Sequence, residues 1–359
     1  MSPKARLASA AVRLRDIAEQ AGVSVNTVSR ALTDKPDINP ATRARVRALA
    51  ERLGYTPNML ARSLLRGSTR TIGLVVTDCT DPFYAGLIRA VENTLSRESF
   101  GLLLATSNEN VDKERQALAM LRERRVDGLL FTPVDVGAEH VRHLLDAEPP
   151  IVLLGRRPVG YEGPFVGTDN VAGARLLVRH LLELGHTRIA HFSRSDKASS
   201  AQERLTGYRT ALADAGMPTP RNLVRRLAPT VEGGKEGAAW LAALRPRPTA
   251  LFTYNDSQAV GAMLGLSDAG IAVPGDCSVA GFDNIELSEL VRPTLTTVAQ
   301  PIQDIGRLGA QMLIDRLQRD AVGGTMLLPP RLMRRQSAAP PCPPQRARSL
   351  GRNREISGT

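Results

Sequence analysis

Apolar residues first recur at helical spacing from residue 14. Leu14, Ile17, Ala18 and Ala21 make one face of a short helix, and Gly22 ends it as a left-handed C-terminal cap. Ser24 is placed to N-cap a second helix that buries Val28, Ala31 and Leu32. After the loop "TDKPDI", Asn39 caps a third helix with Pro40 at its first position; Val46, Leu49, Ala50 and Leu53 are its inner face. Residues 55–70, "YTPNMLARSLLRGSTR", then offer a helix of only two turns between Pro57 and Gly67. It is too short to be stable alone in water. Leu60, Leu64 and Leu65 have no core of their own there, and Arg62, Arg66 and Arg70 flank them.

The texture changes at residue 71. Apolar runs at 71–76, 101–106, 126–131, 150–155, 165–169, 188–193, 250–255 and 277–283 read as strands. Helical patterns lie between them at 83–96, 111–124, 138–146, 171–184, 201–215, 235–244 and 257–269. Continuous apolar strands alternating with helices predict buried parallel sheet built from right-handed crossovers. There are too many strands for one comfortable sheet. The expectation is therefore an α/β protein: a three-helix helix-turn-helix headpiece and a hinge helix, followed by two doubly wound parallel-sheet lobes. Ligands of such folds bind beyond the carboxyl ends of the strands, so two facing lobes imply a cleft. The expected segments are a disordered basic arm (1–12), the helix-turn-helix domain (13–56), hinge helix and linker (57–70), the two-lobed body (71–337) and a disordered basic tail (338–359).

Charge sharpens this division. The 359-residue chain carries a net charge of +11, distributed as +8 in residues 1–70, −3 in 71–330 and +6 in 331–359. A nearly neutral body with a patterned basic N-terminal segment suggests a polyanion partner for that segment. The three cysteines, Cys79, Cys277 and Cys342, have neither disulfide-framework nor zinc spacing, which fits a reducing cytoplasm. No apolar run reaches the ~18 residues of a membrane span, and "MSPKARLASAAVRLRD" is too polar for a secretory signal.

The open face of the second helix presents Ser24, Val25, Asn26, Thr27, Ser29 and Arg30. In a major groove, asparagine can pair with adenine, arginine with guanine, and a bare valine can meet a thymine methyl. An ordinary three-helix bundle with a polar surface helix is the plain alternative. The basic two-turn helix tips the balance, because a marginal helix with a protruding leucine suits a minor-groove wedge. An enzyme of the doubly wound class finds no support: no G-x-G-x-x-G follows the first strand, and there is neither GxxxxGK[ST] nor G-x-S-x-G. The five histidines show no metal pairing and read as surface residues; His140 and His143 sit three apart on one helix. Neither cofactor nor metal is expected. A solute-binding transport receptor would share the body, but has no use for residues 13–66.

Several stretches together resemble the lactose/galactose repressor (LacI/GalR) family. "LRDIAEQAGVSVNTVSRAL" and "TRARVRALAERLGYTPNMLARSL" are similar to its DNA-binding segment, while "DPFY", "RVDGLL", "VGTDNVAGARLLVRHLLELGHTRIA", "ERLTGY", "ALFTYND", "VPGDCSVAGFDN" and "PTLTTVAQP" resemble its periplasmic-binding-protein-like body. The resemblance spans residues 13–337. It implies a homodimer on a pseudo-palindromic double-stranded operator, with a small-molecule effector between the lobes and no membrane. Val25 and Asn26 take the positions of the base readers, Thr27, Ser29 and Arg30 follow on the recognition helix, and Leu64 takes that of the intercalating leucine, flanked by Asn58 and Arg62. Arg204 matches the ligand-clamping arginine, Asn255, Asp256 and Asp283 match polar second-lobe positions, and Phe83 and Arg156 match first-lobe ones. The structural alternative for Asp256 and Asp283 is capping a helix or bridging the lobes; for Asp81 it is N-capping the helix that Pro82 begins. The chain departs from the family in reading "RSDKASSAQ" where relatives often have a Gly-Pro loop. It also lacks an aromatic in "APTVEGGKEG", and its tail carries no leucine heptads.

Overall fold

The computed structural model describes residues 12–55, 67–145, 149–219, 221–319 and 323–342. The chain divides into two compact units, Met1–Thr69 and Arg70–Thr359.

In the first unit, helices α1 (Leu14–Ala21), α2 (Val25–Leu32) and α3 (Pro40–Arg52) enclose a small aliphatic core. Ile17, Val28, Ala31 and Val46 are completely buried in it. The caps fall where their chemistry requires them. Gly22 sits at φ 61°, where a side chain would be strained, and its N–H closes back on α1. The Asn39 side chain accepts from the Ala41 N–H at 2.8 Å, beside Pro40. Arg47 pairs with Asp34, and Arg43 donates to the Lys35 carbonyl at 2.8 Å, so two α3 arginines pin the loop after α2.

The second unit holds two lobes. The first is a six-stranded sheet in the order β11-β5-β4-β3-β1-β2. Its strands are β1 (Thr71–Val76), β2 (Gly101–Thr106), β3 (Gly128–Phe131), β4 (Ile151–Leu154), β5 (Phe165–Thr168) and β11 (Thr325–Leu328). Every pairing is parallel. Helices α4 (Pro82–Arg97) and α12 (Ile302–Arg319) cover one face, and α5 (Val111–Glu123) with α6 (Glu139–Leu145) the other. The second lobe is a four-stranded parallel sheet in the order β7-β6-β8-β9. Here β6 is Ile189–Ser193, β7 Val224–Arg226, β8 Ala250–Thr253 and β9 Ser278–Ala280. Helices α7 (Asn170–Glu183) and α8 (Ser199–Asp214) lie on one side, and α9 (Val231–Ala243) with α10 (Asp256–Asp268) on the other. A Cβ added at Gly234 would lie 2.1 Å from the Gln258 carbonyl oxygen, and one at Gly261 1.9 Å from that of Val231. Glycine is what lets α9 and α10 touch backbone to backbone.

The chain passes between the lobes three times. It leaves β5 at Thr168, returns after β10 (Thr297–Ala299) into α12, and leaves β11 for β12 (Arg331–Met333), which pairs antiparallel with β10. A short helix, α11 (Leu287–Leu290), precedes β10.

Two expectations are corrected here. β2 is not a wholly buried strand: it lies at the sheet edge, with no other described strand paired beyond it, and Leu103 and Leu104 are exposed. The histidines are not all superficial either. His186 and His191 are buried, and the His191 ring stacks between Tyr208 and Phe252. His140 reaches the buried Glu114 carboxylate at 2.6 Å, whereas His143 stays exposed. Asp81 caps α4, accepting from the Phe83 N–H at 2.9 Å.

Candidate nucleic-acid face and ligand cavity

The outward face of α2 begins at its cap. Ser24 Oγ accepts from the Thr27 N–H at 3.0 Å and lies 2.8 Å from Thr27 Oγ1. Whichever hydroxyl donates, the other keeps a proton to donate outward. Val25 is 45% exposed at the tip, and Asn26 is exposed beside it. Ser29 is half-buried, and its carbonyl accepts from Thr33 Oγ1 at 2.8 Å. Arg30 pairs with Asp37 at 2.5 Å, with both side chains largely in water. Such a pair is screened and exchanges readily for a phosphate. Asn58, Arg62 and Leu64 lie outside the described residues.

Between the two lobes of the second unit is a cavity of about 280 Å³. Its wall is built from residues just beyond the carboxyl ends of the strands, as the fold requires. Thr77 and Asp78 follow β1, Glu109 follows β2, and Gly155 and Arg156 follow β4. From the second lobe come Arg194 after β6, Tyr254 and Asn255 after β8, and Asp283 after β9. Of the six residues expected at a ligand, Phe83, Arg156, Arg204, Asn255 and Asp283 line this cavity.

The structure puts Asp256 behind that wall. It is fully buried, and its carboxylate accepts from Thr297 Oγ1 at 2.5 Å and from the Ile285 N–H at 3.0 Å. Burial pushes its carboxyl up to about 7. A folded pKa raised above the unfolded value means that this group favours the fold below about pH 4 and loses that contribution as pH rises through about 7. Asp256→Asn keeps the shape, can donate to Thr297 and accept from Ile285, and carries no charge. It is expected to flatten the fall in stability between pH 4 and 7 and to raise the melting temperature at pH 8; thermal melts across that range check both.

Arg204 organises the cavity floor. Its Nε donates to Asn170 Oδ1 at 2.9 Å, one Nη donates to the Tyr254 carbonyl, and the other lies 3.6 Å from Asp283 Oδ1. The guanidinium rests 3.7 Å from the Phe282 ring centroid. Asp283 adopts φ 122°, a region that strains any L-residue, and such strain concentrates at functional sites. Burial raises its carboxyl well above the usual range, against the pull of Arg204. Gln300 then joins two crossovers: Thr168 Oγ1 donates to its Oε1 at 2.6 Å, and its Nε2 donates to Asp283 Oδ1 at 2.6 Å.

Across the cavity, Glu109 bridges the lobes. It meets Arg156 of the first lobe at 3.0 Å and Arg194 of the second at 2.5 Å. Burial opposes its ionisation, but the two guanidiniums outweigh it and hold the carboxyl at about 2. Tyr254 packs against Arg204 and Arg194, and its hydroxyl is 2.9 Å from Ser200 Oγ. Ala228, Pro229 and Thr230, none of them aromatic, form the adjoining wall. Glu109, Asn170, Arg194, Tyr254 and Gln300 were not singled out in the sequence. Taking the first residue beyond each apolar run as a candidate would have found Arg194, whereas Tyr254 falls inside the run at 250–255 that the structure ends at Thr253. No metal-binding group of His, Cys, Asp or Glu occurs among the described residues.

Comparison with known proteins matches residues 13–58 to the family model "Bacterial regulatory proteins, lacI family" and residues 178–338 to a periplasmic binding protein-like domain. The chain is 37% identical over 329 residues to the transcriptional regulator GalR of Escherichia coli (strain K12), covering 91% of this chain and 96% of the relative. It is 34% identical to catabolite control protein A of Priestia megaterium, covering 91% and 99%. Among solved structures, a lac repressor dimer bound to operator and the anti-inducer ONPF superposes with a TM-score of 0.84 at 27% identity, covering 92% and 99%. A complex of the transcriptional regulator CelR with cellobiose gives 0.71 at 32% identity, covering 91% and 100%. These whole-length matches remove the solute-receptor and enzyme alternatives. A helix-turn-helix unit joined to a two-lobed ligand-binding body makes this chain a DNA-binding transcriptional regulator, and it belongs to the LacI family.

Proposed function

We propose that the protein is a cytoplasmic repressor whose operator affinity is set by a small ligand bound between the lobes. Two copies lay their α2 helices in successive major grooves of a pseudo-palindromic operator. Asn58, Arg62 and Leu64 are proposed to act between them in the minor groove.

The observation that carries the ligand control is the link from cavity to crossovers. A molecule that touches Asp283 or Arg204 touches Gln300 and Asn170 at one remove, and these sit where the chain changes lobes. Ligand contacts therefore act directly on lobe closure. Coupling of ~1–3 kcal/mol between two sites changes affinity ~5–150-fold. The ligand class is a sugar or sugar derivative: forked guanidiniums, carboxylates and an amide supply the mixed donors and acceptors that hydroxyl groups need. A cavity of about 280 Å³ suits a molecule of monosaccharide size.

A second copy of the chain is the partner proposed for the bare edge of the first lobe. Leu103, Leu104 and Met120 are exposed there, and an uncovered apolar edge strand is a liability unless something covers it. Cytoplasmic residence fits three free cysteines and the absence, among the described residues, of any helix long and apolar enough to cross a membrane.

The test exchanges the outer face of α2. Replacing Val25 and Asn26 together should re-rank bound operator sequences in a selection from random duplexes, at ~1–3 kcal/mol per altered base contact. Overall affinity should keep its steep salt dependence, since phosphate contacts are retained. An unchanged consensus would show that these residues do not read bases.

A further inference from the structure

We propose that the ligand is an anion, a sugar acid or sugar phosphate, whose charged group replaces Glu109 on Arg156 and Arg194. This rests on the reading of the cavity as the effector site and narrows it to a chemical class.

The argument begins with the two arginines. Their side chains are almost completely buried, at 4% and 8% exposure, and both turn into the cavity. Among the described residues, the Arg156 side chain has one acceptor apart from Glu109, the Pro133 carbonyl at 3.2 Å. Arg194 Nε is buried with no partner. Two guanidinium forks, one from each lobe, thus converge on a single carboxylate.

That carboxylate is the exposed member of the trio, its side chain 32% open. It comes from the short connection between β2 and α5 and borders both the cavity and a more open groove beside it. Asn108 and Glu109 both lie in the left-handed region, at φ 48° and 55°. Asparagine tolerates that region and glutamate does so only at a cost, and such strain concentrates at ligand clamps and switch regions. The arginines are fixed from within, while the acid arrives from the solvent side on a strained loop. This is the arrangement of an internal stand-in for a ligand anion.

The other cavity acids are already engaged. Asp78 accepts from the Thr80 N–H and hydroxyl at 2.8 and 2.7 Å. Asp81 caps α4, and Asp283 is tied to Gln300 and Arg204. Among these described acids, Glu109 is the one that can leave without stranding a backbone N–H, a helix end or a crossover. Its departure exposes a bidentate site for carboxylate or phosphate, the geometry guanidinium forks recognise best. Because Arg156 and Arg194 belong to different lobes, the incoming anion inherits the bridge between them.

The test is calorimetry on the full-length protein with four probes: a neutral hexose, the matching hexuronic acid, the matching hexose phosphate and inorganic phosphate. The proposal expects the acid or the phosphate ester to bind at least about tenfold more tightly than the neutral sugar. The better of the two identifies the source of the charge. Glu109→Gln removes the competitor, so it should tighten the anion by roughly tenfold and leave the neutral sugar unimproved. Arg194→Gln should erase the preference. Equal or tighter binding of the neutral hexose overturns the anionic class; if Arg204→Ala then weakens that binding about tenfold or more, the cavity reading itself survives. Failure of all four probes to bind overturns the proposal. Weaker anion binding in Glu109→Gln does so too, because Glu109 would then hold the ligand. If that variant does not fold, the ranking on the unaltered protein decides alone.

Discussion

Arg204→Ala will abolish the ligand response while leaving operator binding in place. The side chain is almost completely buried and serves three acceptors at once: Asn170, the Tyr254 carbonyl and Asp283. Truncation strands all three and opens a hole beside the Phe282 ring. Breaking a buried ion pair by removing one partner costs about 3–5 kcal/mol. The lower end applies here, because the raised carboxyl of Asp283 can take up a proton and stay neutral. Ligand affinity should fall by roughly 10–150-fold, the worth of a lost charged hydrogen bond. Arg204→Lys should rescue little, since one ammonium cannot span three acceptors in fixed directions. Titration of ligand into the variant, with operator binding measured in parallel, separates the outcomes. A normal ligand isotherm would place the binding site elsewhere.

Val28→Asp has the opposite profile. Val28 is completely buried in an aliphatic cluster with Ile17, Ala18, Val46 and Leu49, so a carboxylate there is taken out of water. Burying an unpaired charge costs several kcal/mol. A helical unit of this size has little more than that to lose. The first unit should unfold, and specific operator affinity should drop ~1,000-fold or more, as expected when only non-specific binding is left. Ligand binding should be unaffected, because the cavity is built wholly from the second unit. Loss of ligand binding together with operator binding would show that the two units do not fold independently.

The two variants probe parts of the chain that differed in legibility. The headpiece could be read almost residue by residue. Its caps, Gly22, Ser24 and Asn39, act on backbone groups within four positions of themselves. The strands of the two sheets were legible wherever they are central, because a strand covered on both faces is apolar throughout. The reading stopped at residue 283, and what followed was not anticipated. Helix α12 has eighteen residues, yet Gly306, Gly309 and Ala310 occupy its buried face. A Cβ at Gly306 would sit 2.9 Å from the Leu87 carbonyl oxygen. Contact with α4 thus demands small residues just where the hydrophobic pattern needs large ones. The strands β7, β10 and β12 have three residues each, too few to show a period.

The cavity separates the two sources of information most clearly. The resemblance of their motifs pointed to Arg204 on α8 and to Asn255 and Asp283 just beyond strands; by itself the sequence determined the helix-turn-helix and the alternation that builds two lobes. Those are local properties, set by caps, periodicity and chain direction. Only the tertiary structure decided that Asp256 stays behind the wall, that Gln300 ties Thr168 to Asp283, and that Glu109 lies between two arginines 47 and 85 residues away. In "TSNENVDKE" nothing distinguishes that glutamate from a solvated loop residue. Its role comes from charges that only the closing of two lobes brings within hydrogen-bond reach, and no local pattern encodes a distance across a cleft.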